Sequence, residues 1–186
     1  MAVKYNLDSA KVEKAAREWL SERGVKLEQI AKLVLDAQRE YYPQLTEEEC
    51  LAAVNRVLSK REVQNAVLLG IQLDRLAEAG TLESPLQELI ENDEKLFGCD
   101  EVLALSIVNV YGSIGFTNYG YLDKLKPGIL AKLNDKTDNE CHTFLDDLVG
   151  AIAASACSYI AHRQQAKAEQ ERSGDAAVPT LTASTD

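Results

Sequence analysis

Residues 145–160 read Leu-Asp-Asp-Leu-Val-Gly-Ala-Ile-Ala-Ala-Ser-Ala-Cys-Ser-Tyr-Ile. Leu145, Leu148, Val149, Ile152, Ala156, Tyr159 and Ile160 recur at spacings of three and four, the period of an α-helix. The other faces carry Gly150, Ala151, Ala153, Ala154 and Cys157, which are small and nearly as apolar as the main stripe. A helix without a polar face must be surrounded, and small side chains let several neighbours approach its axis closely. The stretch therefore predicts a central buried helix, beginning near His142, ringed by other helices.

The rest of the chain supplies the ring. Residues 9–22 place Val12, Ala15, Ala16, Trp19 and Leu20 on one side of a helix, with Gly24 after its end. A second helix over 27–40 carries Ile30, Leu33, Val34 and Ala37, and Pro43 prevents its continuation. Thr46 opens a third, because Thr46-Glu47-Glu48-Glu49 is a capping box. Residues 62–79 contain Ala66-Val67-Leu68-Leu69-Gly70-Ile71, apolar on every side and expected to be buried all round. Ser84-Pro85 is expected to cap and start a short helix reaching about Lys95, and Gly98 breaks it. A further buried helix is expected over Val102 to Val110. Beyond it Gly112, Gly115 and Gly120 bend or interrupt the chain, and Lys126-Pro127-Gly128 marks a turn. Strand-like alternation is hard to find. The reading is all-α: a compact helical bundle forming a single domain over residues 1–163, with a frayed helix end and disordered tail over 164–186.

Composition narrows the function. The 186 residues hold 20 Lys+Arg against 30 Asp+Glu, a formal charge of 20 − 30 = −10, and no basic cluster, which excludes a nucleic-acid partner. Cys50, Cys99, Cys141 and Cys157 form no CxxC pair and read as small buried hydrophobes. The N-terminal residues lack an apolar signal core, so a cytoplasmic location is expected. Val102 to Leu122 carries no charge over a length sufficient to cross a bilayer, but Ser106, Asn109, Ser113, Asn118 and three glycines interrupt it. No transmembrane span is expected, although peripheral contact with a membrane is compatible with the reading. So is a homo-oligomer, since apolar helices can also pack across a dimer.

Chemistry is suggested by acids at positions adjoining core. Asp100-Glu101 heads one apolar helix and Asp146-Asp147 another. Acids in a first helical turn favour the macrodipole by about 0.3 to 1 kcal/mol. Burial of a carboxylate costs several kcal/mol unless a donor or a cation collects it. Asp123 follows a glycine-rich stretch in company with Lys124 and Lys126, a combination that suits a hard cation beside a phosphate. Glu62, flanked by Lys60 and Arg61, is a further candidate for such a site. His142 and His162 read as a helix-start and a surface residue. There is no GxSxG elbow, P-loop or GxGxxG, so nucleophilic and nucleotide-binding folds lack their signals.

Three blocks carry a family resemblance. Cys99-Asp100-Glu101-Val102, Tyr121-Leu122-Asp123-Lys124-Leu125-Lys126-Pro127 and Phe144-Leu145-Asp146-Asp147-Leu148-Val149-Gly150-Ala151 resemble, in order, the acidic blocks of the phosphatidylglycerophosphatase A family. Residues 60–66 and 109–120 resemble its soluble branch, some of whose members are called low-temperature-requirement protein C. The resemblance covers roughly residues 25–163. It implies a bundle around one central helix and Mg²⁺-dependent hydrolysis of the phosphomonoester of phosphatidylglycerophosphate, or of a related phosphorylated lipid or small phosphomonoester. It implies that Asp100, Glu101, Asp123, Asp146 and Asp147 hold Mg²⁺, or Mn²⁺ in its place. Asp123, Asp147 and Lys126 would be catalytic, with Glu62 and Lys124 as additional candidates. The early proline-glycine-threonine block and the hydrophobic spans of the membrane-embedded members are not found here. A second reading therefore stands beside the enzyme: a non-catalytic helical metal-binding or regulatory protein on the same scaffold.

Overall fold

Asp8 accepts the backbone N–H of Lys11 and opens α1 (Ser9–Glu22), and Gly24 lies just beyond its end with φ +73°. The capping box forms as expected: Thr46 Oγ1 accepts the Glu49 N–H and Glu49 accepts the Thr46 N–H, each at 3.2 Å, at the head of α3 (Glu47–Leu58). The remaining helices are α2 (Leu27–Gln38), α4 (Arg61–Glu78), α5 (Leu86–Glu91), α6 (Cys99–Val108), α7 (Ser113–Leu125), α8 (Ile129–Leu133) and α9 (Leu145–Asp175). The structure, a computed structural model, describes residues 8–135 and 140–175. Among them there is no strand, and the fold is the all-α bundle expected.

The centre is α9. Every residue from Thr143 to Ser158 is buried, and α2, α3, α4, α6, α7 and α8 all pack against this helix. Leu148 and Ile152, fully buried, each stabilise the core by about 1.5 to 3 kcal/mol. Gly70 lets α4 come close to it, since a Cβ there would lie 2.5 Å from Leu148 Cδ1 and 2.9 Å from Phe144 Cβ. An outer layer completes the ring, with α1 and α5 both packed on α4.

Several expectations are corrected. The helices α4 and α6 are not buried all round: Leu69 is 52% and Val102 67% exposed, because ring helices meet α9 on one face only. Pro85 occupies the cap position of α5 rather than its first turn, and the helix stops at Glu91, short of Lys95. Gly112, at φ +76°, separates α6 from α7, but Gly115 and Gly120 lie inside a continuous α7. Cys99 is exposed, unlike the other three cysteines. The central helix begins at Leu145 rather than near His142. It remains helical through Asp175, with exposed side chains over 167–173; the tail expected over 176–186 lies outside the described residues. No described helix is long and apolar enough to cross a membrane, and the charge-free stretch 102–122 is shared between α6 and α7.

Candidate metal centre

The heads of α6 and α9 and the tail of α7 meet in a pocket of about 210 Å³ lined by Asp100, Glu101, Asp123, Lys126, Asp146 and Asp147. Two helices therefore present their positive N-terminal ends to it. The two acid pairs are arranged alike: Asp100 Oδ1 accepts the Glu101 N–H at 3.0 Å, and Asp146 Oδ1 accepts the Asp147 N–H at 2.9 Å. In each pair the second residue is thus held by the first.

Lys126 ends α7 in the left-handed region, φ 42°, where a side chain other than glycine's is strained. That backbone lets the chain turn sharply into Pro127-Gly128, and the side chain ties down the site. Its Nζ lies 2.7 Å from Asp123 Oδ1, 2.8 Å from Asp146 Oδ2 and 3.1 Å from Asp147 Oδ1. Burial would lower its pKa, but the charges of Asp146 and Asp147 outweigh it and hold the ammonium above the ordinary lysine range.

One carboxylate oxygen each from Asp100, Glu101 and Asp147 lies within 4.8 Å of the other two. Oxygens that close can share one divalent cation at about 2.0 to 2.6 Å. The residues fit such an ion. Glu101 Oε2 is buried without a hydrogen-bond partner, a costly state that a cation would relieve. Burial pushes Asp100 up to about 7, and burial with the Asp146 charge pushes Asp147 up to about 8 against the pull of Lys126. Lys126 needs ionised partners, yet burial raises the pKa of Asp100, Asp146 and Asp147 together, so without a cation the cluster as a whole favours taking up a proton.

The crowding has a measurable consequence. With EDTA present, the folded chain binds more protons at Asp100 and Asp147 than the unfolded chain between about pH 4 and 8, so their effect is to lower stability as pH rises through that window. A cation that displaces those protons opposes the trend. Mg²⁺ is therefore expected to raise the melting temperature more at pH 8 than at pH 5.5, in melts run with and without EDTA.

The structure thus gathers Asp100, Glu101, Asp123, Lys126, Asp146 and Asp147 in one pocket. Lys124 is exposed and does not line it. Glu62 is also exposed, and sits at the start of α4, about 18 Å along the helix axis from Asp74 near the head of α9.

Asp74 is not singled out by the sequence pattern. Fully buried, it accepts the backbone N–H groups of Phe144 and Leu145, both at 3.0 Å, and so caps the central helix from a different helix. Burial raises its pKa well above the usual carboxylate range. A signal for it exists: positions 63, 67, 70, 74 and 77 form one helical stripe of α4, buried throughout, and Asp74 is its one acid. Glu78, a turn later, accepts the Cys141 N–H at 2.6 Å and pairs with Arg23, fixing the lead into α9.

Comparison with known proteins agrees with this fold. The chain is 61% identical over 158 residues to the uncharacterized protein YutG of Bacillus subtilis (strain 168), a match covering 85% of this chain and 95% of YutG. Its fold matches the crystal structure of the low temperature requirement C protein from Listeria monocytogenes with a TM-score of 0.83 at 61% identity, over 85% of this chain and 99% of that one. A protein of unknown function from Bacillus stearothermophilus matches with a TM-score of 0.80 at 68% identity, over 81% of this chain and 94% of that one. The family model for phosphatidylglycerophosphatase A matches residues 26–162. That span runs from the start of α2 through the buried part of α9 and takes in every carboxylate of the pocket, and the chain belongs to the phosphatidylglycerophosphatase A family.

Proposed function

We propose that this protein is a divalent-cation-dependent phosphatase that hydrolyses a phosphomonoester, with phosphatidylglycerophosphate as the substrate the family suggests. The observation that carries the reading is the three-way approach of Asp100, Glu101 and Asp147 beside a lysine. Seven carboxylates against two lysines around one pocket repel a phosphoryl dianion, so an anionic substrate enters only where a divalent cation offsets them. Asp100, Glu101 and Asp147 would hold Mg²⁺, or Mn²⁺ in its place, with Asp123 and Asp146 at its border. Bound there, the ion supplies neutralisation of phosphoryl charge and a bound water of lowered pKa.

The chain's own residues do the rest. Lys126, freed from part of its carboxylate load, pairs with a phosphoryl oxygen. Asp123, the most exposed of the three carboxylates that Lys126 holds, takes a proton from the attacking water at the pocket mouth and returns it to the alcohol oxygen as the ester P–O bond breaks. Asp146 keeps Lys126 in place from the buried side. An adjoining cavity of about 360 Å³ shares Asp93, Asn134, Thr143 and Asp146 with the pocket, and its polar lining suits the hydroxyls of a glycerol head group.

Release of inorganic phosphate from phosphatidylglycerophosphate in detergent micelles and from glycerol phosphate, each with Mg²⁺ and with EDTA, tests this. Release only with the cation is expected. Cation binding without release from either substrate would leave the non-catalytic metal-binding protein as the better reading.

A further inference from the structure

Tyr119 is buried behind the pocket wall, one turn before Asp123 on α7, and is not itself among the lining residues. Tyr119, Asp123 and Lys126 are spaced i, i+4, i+7 and so share one face of α7. The ring lies against α9, its Cε2 3.7 Å from where a Cβ on Gly150 would be, and Leu130 of α8 closes the slot beside it. Gly150 is one helical turn beyond Asp147, on the same side of α9. The residue is buried, and its hydroxyl has no hydrogen-bond partner. The charges that bear on this hydroxyl are those of Asp147, Asp123, Glu101 and Asp146.

A phenylalanine would fill the slot without the cost that an unpaired buried polar group carries. No acceptor lies within hydrogen-bond reach of the hydroxyl as it stands, yet four carboxylates are near enough for their charges to bear on it. Burial, together with the surrounding negative charge, raises its pKa, so the phenol holds its proton and acts as a donor alone. We propose that the Tyr119 hydroxyl is a positioning donor of the carboxylate site, orienting a ligating carboxylate or bound water when a divalent cation is held there. The inference rests on the reading of the pocket as a cation site. Tyr119 acts through those groups and touches no reacting atom; outer partners of this kind set metal affinity.

The full-length Tyr119→Phe protein tests it, because the change removes one oxygen and keeps the ring. Calorimetric titration with Mn²⁺ is expected to show a Kd at least about tenfold weaker than wild type. In EDTA the melting temperature should be unchanged or higher, since an unpaired hydroxyl has gone. The Mg²⁺ concentration for half-maximal phosphate release should rise by a similar factor. Equal Mn²⁺ affinity in the two proteins would overturn the inference and leave the cation site standing. A weaker Kd accompanied by a melting temperature several degrees lower in EDTA would mark Tyr119 as structural and also overturn it. Failure of wild type to bind Mn²⁺ would remove both the site and the inference.

Discussion

Asp147→Asn is expected to lower Mg²⁺-dependent phosphate release by at least about 100-fold while the protein melts, in EDTA, at or above the wild-type temperature. Asp147 belongs to both halves of the site, pairing with Lys126 through Oδ1 and closing the oxygen triangle with Asp100 and Glu101. Its carboxyl is buried beside Asp146 and is pushed up to about 8, so as a carboxylate it is unfavourable in the cation-free fold. The amide keeps an oxygen for Lys126 and removes the crowded charge, which leaves folding intact or improves it. The same change takes away a ligand. A purely structural residue in the first turn of α9 would behave differently, costing about 0.5 to 2 kcal/mol with or without Mg²⁺. Paired activity assays and melts separate the two.

Asp74→Ala is expected to destabilise the fold by about 2 to 4 kcal/mol, the largest single stability loss we anticipate outside the hydrophobic core. Two backbone N–H groups at the head of α9 would lose their acceptor inside the protein, and each unpaired buried group costs about 1 to 3 kcal/mol. In a chain of this size each kcal/mol moves the melting temperature by roughly 2 to 4 °C, so a fall of about 5 to 15 °C should appear by calorimetry. Mg²⁺ affinity should weaken as well, because the head of α9 that carries Asp146 and Asp147 would no longer be fixed. A fall of under 2 °C would mean that water reaches those amides and that Asp74 is not their cap.

The central helix is legible because its sequence is apolar in every direction, a pattern with one structural solution. The acid pairs are legible for the opposite reason: Asp100-Glu101 and Asp146-Asp147 are charges where the pattern calls for core. All-round apolarity is a poorer guide for α4 and α6. Leu69 and Val102 face outward, because a helix on the ring has one contact face however apolar its far side is. Asp74 stays hidden in the sequence since its partners lie 70 and 71 residues away and nothing local distinguishes it from a surface acid in Gln72-Leu73-Asp74-Arg75. Glu62 enters the candidate set by analogy with the other helix-head acids. The direction of α4 sends its start to the other end of α9, beside Tyr111, whose pKa bears the Glu62 charge. The part of Lys126 in the site depends on a left-handed residue at the end of α7, which the Lys-Pro-Gly turn announces without giving its direction.

One cation held by Asp100, Glu101 and Asp147 is the centre of the proposed chemistry, and crystals soaked in Mn²⁺ test it most directly through an anomalous difference map. The expected result is a peak about 2.0 to 2.6 Å from a carboxylate oxygen of each of the three, with Lys126 moved off Asp147 or retained on Asp123 and Asp146. A map with no peak in that pocket, at Mn²⁺ concentrations that fill sites elsewhere on the surface, would contradict it.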